Sequence, residues 1–313
     1  MDYVTFSYLL VEILREMGHK VDHRKVTVGE ELDYVYDFAF CGVAPLSSMT
    51  SGRVPETHWA IDCMEGKHAV YADDWSFCGF GKSVKGALNN WDKYLKYKNF
   101  SHTPVQLDDT FLSLQSMVEN ESRFSNGFVL APMFPWGDHD FLMKDNYEAR
   151  LVTVDPSAWV KYPTVDIPTF AEKKKQWVMA ALSDHSNWVK KQGFKLPVQY
   201  IGNKRMGVEV LSESKTVQRF ADSYGVLACG YPSAGSGWWR TRYLNAAWAE
   251  SLVYCDLADQ RIMDAPYQWT SSALEGLDYE GYVSIVQDQN EWLRGNISKK
   301  EEVFETLERL MKK

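Results

Sequence analysis

Residues Tyr224–Asp256 read YGVLACGYPSAGSGWWRTRYLNAAWAESLVYCD, and the fold turns on what this stretch forms. The short apolar run Gly225–Cys229 reads as a buried parallel strand. Gly230–Gly237 is a loop rich in Gly, Pro and Ser. An Arg-bearing helix begins near Trp238, and a second apolar run, Leu252–Cys255, ends on Asp256. Strand, glycine-rich loop, helix and strand make one βαβ unit. Its loop, with Gly235, Ser236 and Gly237, would bring backbone N–H groups to the positive end of the helix, where a phosphate binds well. Arg240 and Arg242 fall in the first helical turn, where a cation is unfavourable unless an anion is near. The stretch therefore reads as an anion site of the kind a diphosphate needs. It is neither a P-loop nor a dinucleotide fingerprint, and glycine-rich βα loops occur in many α/β proteins.

At 313 residues the chain has room for two domains of ordinary size. Apolar residues make up 45%, enough for a sizeable core. No apolar run is long enough to span a membrane, and no basic start with an apolar core marks a signal peptide. The five cysteines are odd in number and show no C-x-x-C spacing. Cys41, Cys229 and Cys255 sit in or beside apolar runs, as buried thiols in a reducing cytoplasm would. The net charge of −8 argues against nonspecific nucleic-acid binding by the whole chain, though not against a local basic surface.

Taken in order, Phe6–Met17 carries Phe6, Leu9, Leu10, Ile13, Leu14 and Met17 at helical spacing, with Gly18 as its C-cap. Val21–Val28 reads as a strand, and Phe38–Val43 as a stronger one. Ala44–Gly52, with Ser47 and Ser48, is a polar loop at a strand's carboxyl end, where open α/β sheets bind ligands. His68–Ala72 is the next strand and runs into Asp73 and Asp74, either of which suits acid/base work or the capping of a following helix. Ser83–Lys98 reads as a helix. With Lys82 it carries Lys85, Lys93, Lys96 and Lys98 against one acid, Asp92, interleaved with Trp91, Tyr94 and Tyr97. That pattern fits a solvated face or a surface for phosphate backbones with aromatics for stacking.

Leu107–Met117 follows as a helix, and Gly127–Ala131 and Leu151–Val154 as strands. The stretch around Pro156, Pro163 and Pro168 reads as an interdomain linker. Phe170–Gln192 is expected to be helical and basic. Val198–Ile201 reads as the first strand of the second domain, followed by Gly202–Gly207 with Arg205. Ser212–Ser223 reads as a helix, Tyr282–Val286 as a late strand and Asn290–Arg294 as a helix. Lys299–Lys312 is an amphipathic helix with Val303, Leu307 and Leu310 on one face. The expected architecture is α/β: a first domain over 1–165, a second over 166–298, and a helix over 299–313 that packs back at their junction.

An anion binder on one wall of an interdomain cleft and a carboxylate base on the other would suit sugar transfer from a nucleotide donor. Four ordered segments carry a resemblance in the same direction: TFSYLLVEILREMGHKVD, YADDWSF, VQYIGNKRMG and TRYLNAAWAESLVYCD. In these the chain resembles the GT-B glycosyltransferases, two Rossmann-like domains facing a cleft, and among them the DNA β-glucosyltransferases of T-even bacteriophages. The resemblance implies that Asp73 is the general base, with Asp74 as its rival. It gives Arg205 in its Gly202 loop, and Arg242, to the donor diphosphate, and Asn245 to the ribose. Asn245 stands where the family usually has a glutamate, and the family's opening strand is absent.

The implied reaction is transfer of a sugar, with glucose from UDP-glucose as the expected donor, to a hydroxymethylated pyrimidine of double-stranded DNA by one inverting displacement. A base within a duplex must first be extruded. The helix with Lys82, Lys85, Lys93 and Lys96 would hold the strand. The implied enzyme is a monomer in the cytoplasm of the bacterial host. No His/Cys cluster has metal-ligand spacing, and the sequence leaves open a divalent ion, Mg2+ or Mn2+, on the diphosphate. The acidic charge keeps a second class in view, a GT-B enzyme with a small-molecule or protein acceptor. A third is an inactive relative that binds a nucleotide or a partner.

Overall fold

The computed structural model describes residues 6–24, 36–43, 67–72, 128–132, 135, 151–180, 186–202, 208–228, 241–254 and 271–312. The chain divides into two compact units. One is Ser157–Ser298 with Phe134–Asp138 and Met1–Val4; the other is Thr5–Met133, His139–Pro156 and Lys299–Lys313. Among the described residues each unit holds one four-stranded sheet, and every strand pairing in both is parallel.

In the unit that holds Thr5–Met133, helix α1 spans Phe6–Glu16 and buries Phe6, Leu9, Leu10, Ile13 and Leu14. Those positions share one face of a 3.6-residue helix. Gly18 ends it at φ +91°, where a side chain would be strained. Strands β1 (Phe38–Val43), β2 (Lys67–Ala72), β3 (Phe128–Pro132) and β4 (Leu151–Val154) follow in that spatial order. Residues 19–24 are irregular. The expected strand over Val21–Val28 therefore fails for its described part, whose anchors are side-chain contacts: the Tyr36 hydroxyl donates to Asp22 at 2.6 Å, and the His23 ring meets Tyr8 edge-on at 5.2 Å. The last helix of the chain, Lys300–Lys312, belongs to this unit and packs on β4 through the buried Val303, Leu307 and Leu310. Lys300 pairs with Glu16 of α1 at 2.8 Å. Both side chains are largely solvated, so burial of the apolar face, not this pair, holds the helix.

The Ser157–Ser298 unit departs from expectation in two places. Lys174–Ala180 is a strand, β5, inside the stretch read as helix; of the described residues there only Ser186–Gln192, helix α2, is helical. The reason is tertiary. Trp177, Val178, Met179 and Ala180 are all buried, and β5 lies between two other strands of its sheet. A continuous apolar run buried on both faces satisfies its backbone only as an inner strand. Trp177 also fixes its neighbour. It pairs with Gly225, and a Cβ on Gly225 would run into the indole ring. The indole N–H donates to Glu275 at 2.8 Å, and the Glu275 carboxylate also accepts the backbone N–H groups of Lys195 and Leu196.

After β5 and α2 come β6 (Val198–Ile201), α3 (Glu213–Ala221), β7 (Ser223–Leu227), α4 (Thr241–Trp248), β8 (Leu252–Tyr254), α5 (Ser271–Leu274) and α6 (Tyr279–Gly295). The second departure is α6: Tyr282–Val286 is helical, not a strand. Asp278 caps the helix by accepting the Gly281 N–H at 2.9 Å. Tyr282, Val286, Gln289 and Leu293 then form one buried helical face. Helix α6 closes the C-terminal numbering of this unit, and Lys300–Lys312 is α7.

Side chains from neighbouring segments stop α3. Lys173 Nζ donates to the Ala221 carbonyl at 2.6 Å, and the Ser251 hydroxyl donates to the Phe220 carbonyl at 2.5 Å. Burial pulls the Lys173 pKa down to about 8, against the opposing pull of Glu250 and then Asp222. Burial pushes Tyr224 up to about 12 and raises Tyr282 as well. Between pH 8 and 10.5 the unfolded chain holds a proton at Lys173 that the native chain has lost, so stability rises with pH. Above pH 10 the native tyrosines keep protons that the unfolded chain loses, so stability falls. Urea denaturation of the wild type against Lys173→Met isolates the first effect. The wild type should gain roughly 2 kcal/mol on the variant between pH 8 and pH 10, and a flat difference would mean that Lys173 is not desolvated.

Candidate functional site

The order of strands in the second sheet is β6-β5-β7-β8. From β5 the chain moves to one side to make β6, then returns past β5 to make β7. Strand order reverses between β5 and β7, and in open parallel sheets the crevice at the carboxyl ends of such a pair is where ligands bind. β5 ends at Ala180 and β7 at Leu227, and Ala180, Leu227 and the following Ala228 are buried. Two connecting segments leave from these ends. Residues 181–185 lead to α2, and residues 229–240 lead to α4. The second is the glycine-rich segment of the opening stretch. The first contains Ser183, Asp184 and His185, which a helix over Phe170–Gln192 would not place after a strand end. The apolar run Trp177–Ala180 followed by Ser, Asp and His was the available signal.

Three of the expected site residues are described. Gly202 follows β6 at φ +86°, a left-handed conformation that glycine adopts without strain. Its N–H donates to the Glu209 carbonyl at 2.7 Å, so its own amide closes the turn rather than facing an anion. Arg242 is the second residue of α4. It is half-buried and makes no hydrogen bond or ion pair with the described residues. Asn245 is 6% exposed, and its Oδ1 has no hydrogen-bond partner. Residues three apart on a helix share a face, so α4 presents together a cation and a carboxamide oxygen that have no partner among the described residues. A buried polar atom without a partner costs about 1–3 kcal/mol. A cation at the start of a helix is also unfavourable by a few tenths of a kcal/mol or more. An anionic ligand with a hydrogen-bond donor one helical turn away would relieve both.

Arg205, Gly235, Ser236, Gly237 and Arg240 lie outside the described residues, as do Asp73, Asp74, Ser47, Ser48, Lys82, Lys85, Lys93 and Lys96. Asp73 directly follows Ala72, the last residue of β2, an inner strand of the first sheet. Among the described residues no group of three or more His, Cys, Asp or Glu could hold a metal ion. No helix of the described residues is long and apolar enough to cross a membrane.

No protein-family model matches this sequence, and no curated protein does. Among solved structures, the chain is similar to the DNA-modifying enzyme β-glucosyltransferase, at 10% identity and a TM-score of 0.46 over 88% of this chain and 99% of that one. It is similar to T4 phage BGT in complex with its UDP-glucose substrate, at 9% identity and 0.44, again over 88% and 99%. TarM matches at 12% identity and 0.48, over 89% of this chain and 56% of TarM, so the chain spans little more than half of that protein. At these identities and scores the likenesses assign no substrate and no residue role, and the chemistry rests on this chain's own residues.

Proposed function

We propose that the chain is a glycosyltransferase of the GT-B type that moves a sugar from a UDP-sugar to a hydroxymethylated pyrimidine in DNA. The observation that carries the reading is the pair on α4. Arg242 and the Asn245 Oδ1 have no partner among the described residues, and they sit on the helix that the glycine-rich segment joins to a switch-point strand. In this reading Arg242, with Arg205 and the amides of Gly235, Ser236 and Gly237, holds the diphosphate. Asn245 accepts a ribose hydroxyl. The cations offset the charge that UDP gains as it leaves. Asp73 removes the proton of the acceptor hydroxyl, whose oxygen attacks the anomeric carbon from the side opposite UDP, inverting that centre. The basic stretch from Lys82 to Lys98 supports a DNA acceptor.

The test is mass spectrometry of hydroxymethylated DNA after incubation with a panel of UDP-sugars. A mass gain of one hexosyl or pentosyl group on the modified base is expected with one of them; no gain with any donor would remove DNA as the acceptor. Arg242→Ala should weaken UDP-sugar binding about 10- to 100-fold, the value of one charge-assisted contact. Unchanged affinity by calorimetric titration would remove Arg242 from the diphosphate.

A further inference from the structure

Two passages of the chain between the units lie among the described residues, Pro156 to Ser157 and Ser298 to Lys299. On the Ser157–Ser298 side, both are fastened to the helices of the candidate site. Just past the first passage, Tyr162 stacks on Trp248, the last residue of α4, with ring centroids 4.5 Å apart and planes 13° from parallel. Just ahead of the second passage, the Arg294 guanidinium lies over the same indole at 5.9 Å. Trp248 is 43% exposed, so core burial does not account for its place. What it contributes is a joint between two chain passages and one helix end.

A second fastening lies further along the same strap. The Asp166 N–H donates to Gln218 Oε1 at 2.9 Å, and Gln218 Nε2 donates to the Asp166 carbonyl at 2.7 Å. Gln218 belongs to α3. Helices α3 and α4 pack on each other. They begin after the segments that carry Arg205 and the glycine-rich loop. The strap thus rests on helices whose opposite ends lead to the proposed donor contacts. Helix α4 is eight residues long, about 12 Å, and a hydrogen-bonded helix of that length shifts as a body. A small movement of Arg242 toward an anion is therefore felt at Trp248.

We propose that Trp248 couples occupancy of the anion site on α4 to the two chain passages, so that ligand binding tightens Tyr162 and Arg294 around the indole. This rests on the donor-site reading. It makes Trp248 a positioning residue and gives it no contact with the ligand.

Hydrogen–deuterium exchange of the full chain, with and without UDP, tests it. In the wild type, UDP should slow exchange in α4, in 158–166 and in 292–298. Trp248→Ala should keep the UDP-dependent protection of α4 and lose it in both passages, and Trp248→Phe, which can still stack, should retain part of it. Wild type with α4 protected and the passages unchanged would overturn the coupling alone, as would Trp248→Ala with the passages still protected. No UDP-dependent change anywhere would overturn the donor site and the coupling with it. Arg242→Ala is the control for that case, since it should lose protection in all three segments.

Discussion

Asp73→Asn is expected to slow sugar transfer by about 10²- to 10⁴-fold, the span that a positioned general base contributes, and to leave UDP-sugar affinity nearly unchanged. The substitution keeps the size and shape of the side chain. It removes the charge and the proton-accepting oxygen, so it separates chemistry from packing. Affinity should survive because the donor contacts are proposed on α4 and in residues 203–207, not after β2. Asp73 follows the carboxyl end of an inner parallel strand, the edge at which such sheets place their chemistry.

Asp74 supplies the internal control. Successive residues of an extended chain point to opposite sides, so only one of the two carboxylates should matter. Collapse in Asp74→Asn with full turnover in Asp73→Asn would move the base by one residue. Full turnover in both variants would remove the general-base mechanism. Collapse of transfer together with loss of donor binding would point to a folding defect and would need the conservative Asp73→Glu to be measured beside it.

The parts of the fold that could be read from sequence are those whose cause is local. α1 and α7 show a complete apolar face over consecutive turns, and their buried residues are the ones the spacing predicts. Strand β1 was readable from its unbroken apolar run. α3 has its Ser212 cap in place, accepting the Lys215 N–H. The two misreadings in the Ser157–Ser298 unit share a different cause. β5 opens with two exposed lysines after a buried one and looks like a basic helix. Its identity comes from Gly225 making room for Trp177 and from two flanking strands, and none of that is local. In α6 the β-branched and aromatic residues Tyr282, Val283, Ile285 and Val286 favour a strand, and the Asp278 cap together with burial of one face overrides them.

The candidate site divides the same way. Arg242 was conspicuous because a cation in a first helical turn asks for an anion. The missing partner of Asn245 Oδ1 is a matter of three-dimensional burial and could not be inferred from spacing. The switch point between β5 and β7 exists only because β5 is a strand, and the basic opening of β5 hides that strand, together with the segment after it that carries His185.

Gln289→Leu should destabilise the Ser157–Ser298 unit by about 2–5 kcal/mol, because one side chain completes the edge of its sheet. β8 pairs with β7 on one side, where the Ala228 N–H donates to the Tyr254 carbonyl at 3.0 Å. Alternate residues of a strand direct their backbone groups to opposite sides, so Val253 turns away from β7. Both of its groups are taken by Gln289: the Val253 N–H donates to Oε1 at 3.1 Å, and Nε2 donates to the Val253 carbonyl at 3.0 Å. The carboxamide thus does for one residue what a further strand would do for a row of them. Gln289 is 1% exposed and Val253 is 2% exposed, so water cannot replace the lost partner without opening the helix.

Leucine nearly matches glutamine in volume, which keeps the cavity contribution small and leaves two unsatisfied backbone groups as the main cost. In a unit of this size that should lower the melting temperature by roughly 5–15 °C. Gln289→Glu sharpens the test. An ionised carboxylate can accept the Val253 N–H but cannot donate to the Val253 carbonyl, and it is buried; a protonated carboxyl can do both. The carboxyl pKa should therefore be raised in the native state, and the native chain should bind the extra proton, so this variant should recover stability relative to wild type as pH falls from 7 toward 5. A Gln289→Leu denaturation midpoint equal to wild type, or a Gln289→Glu deficit that does not change with pH, would mean that Val253 is satisfied in some other way and that α6 does not close the edge of the sheet.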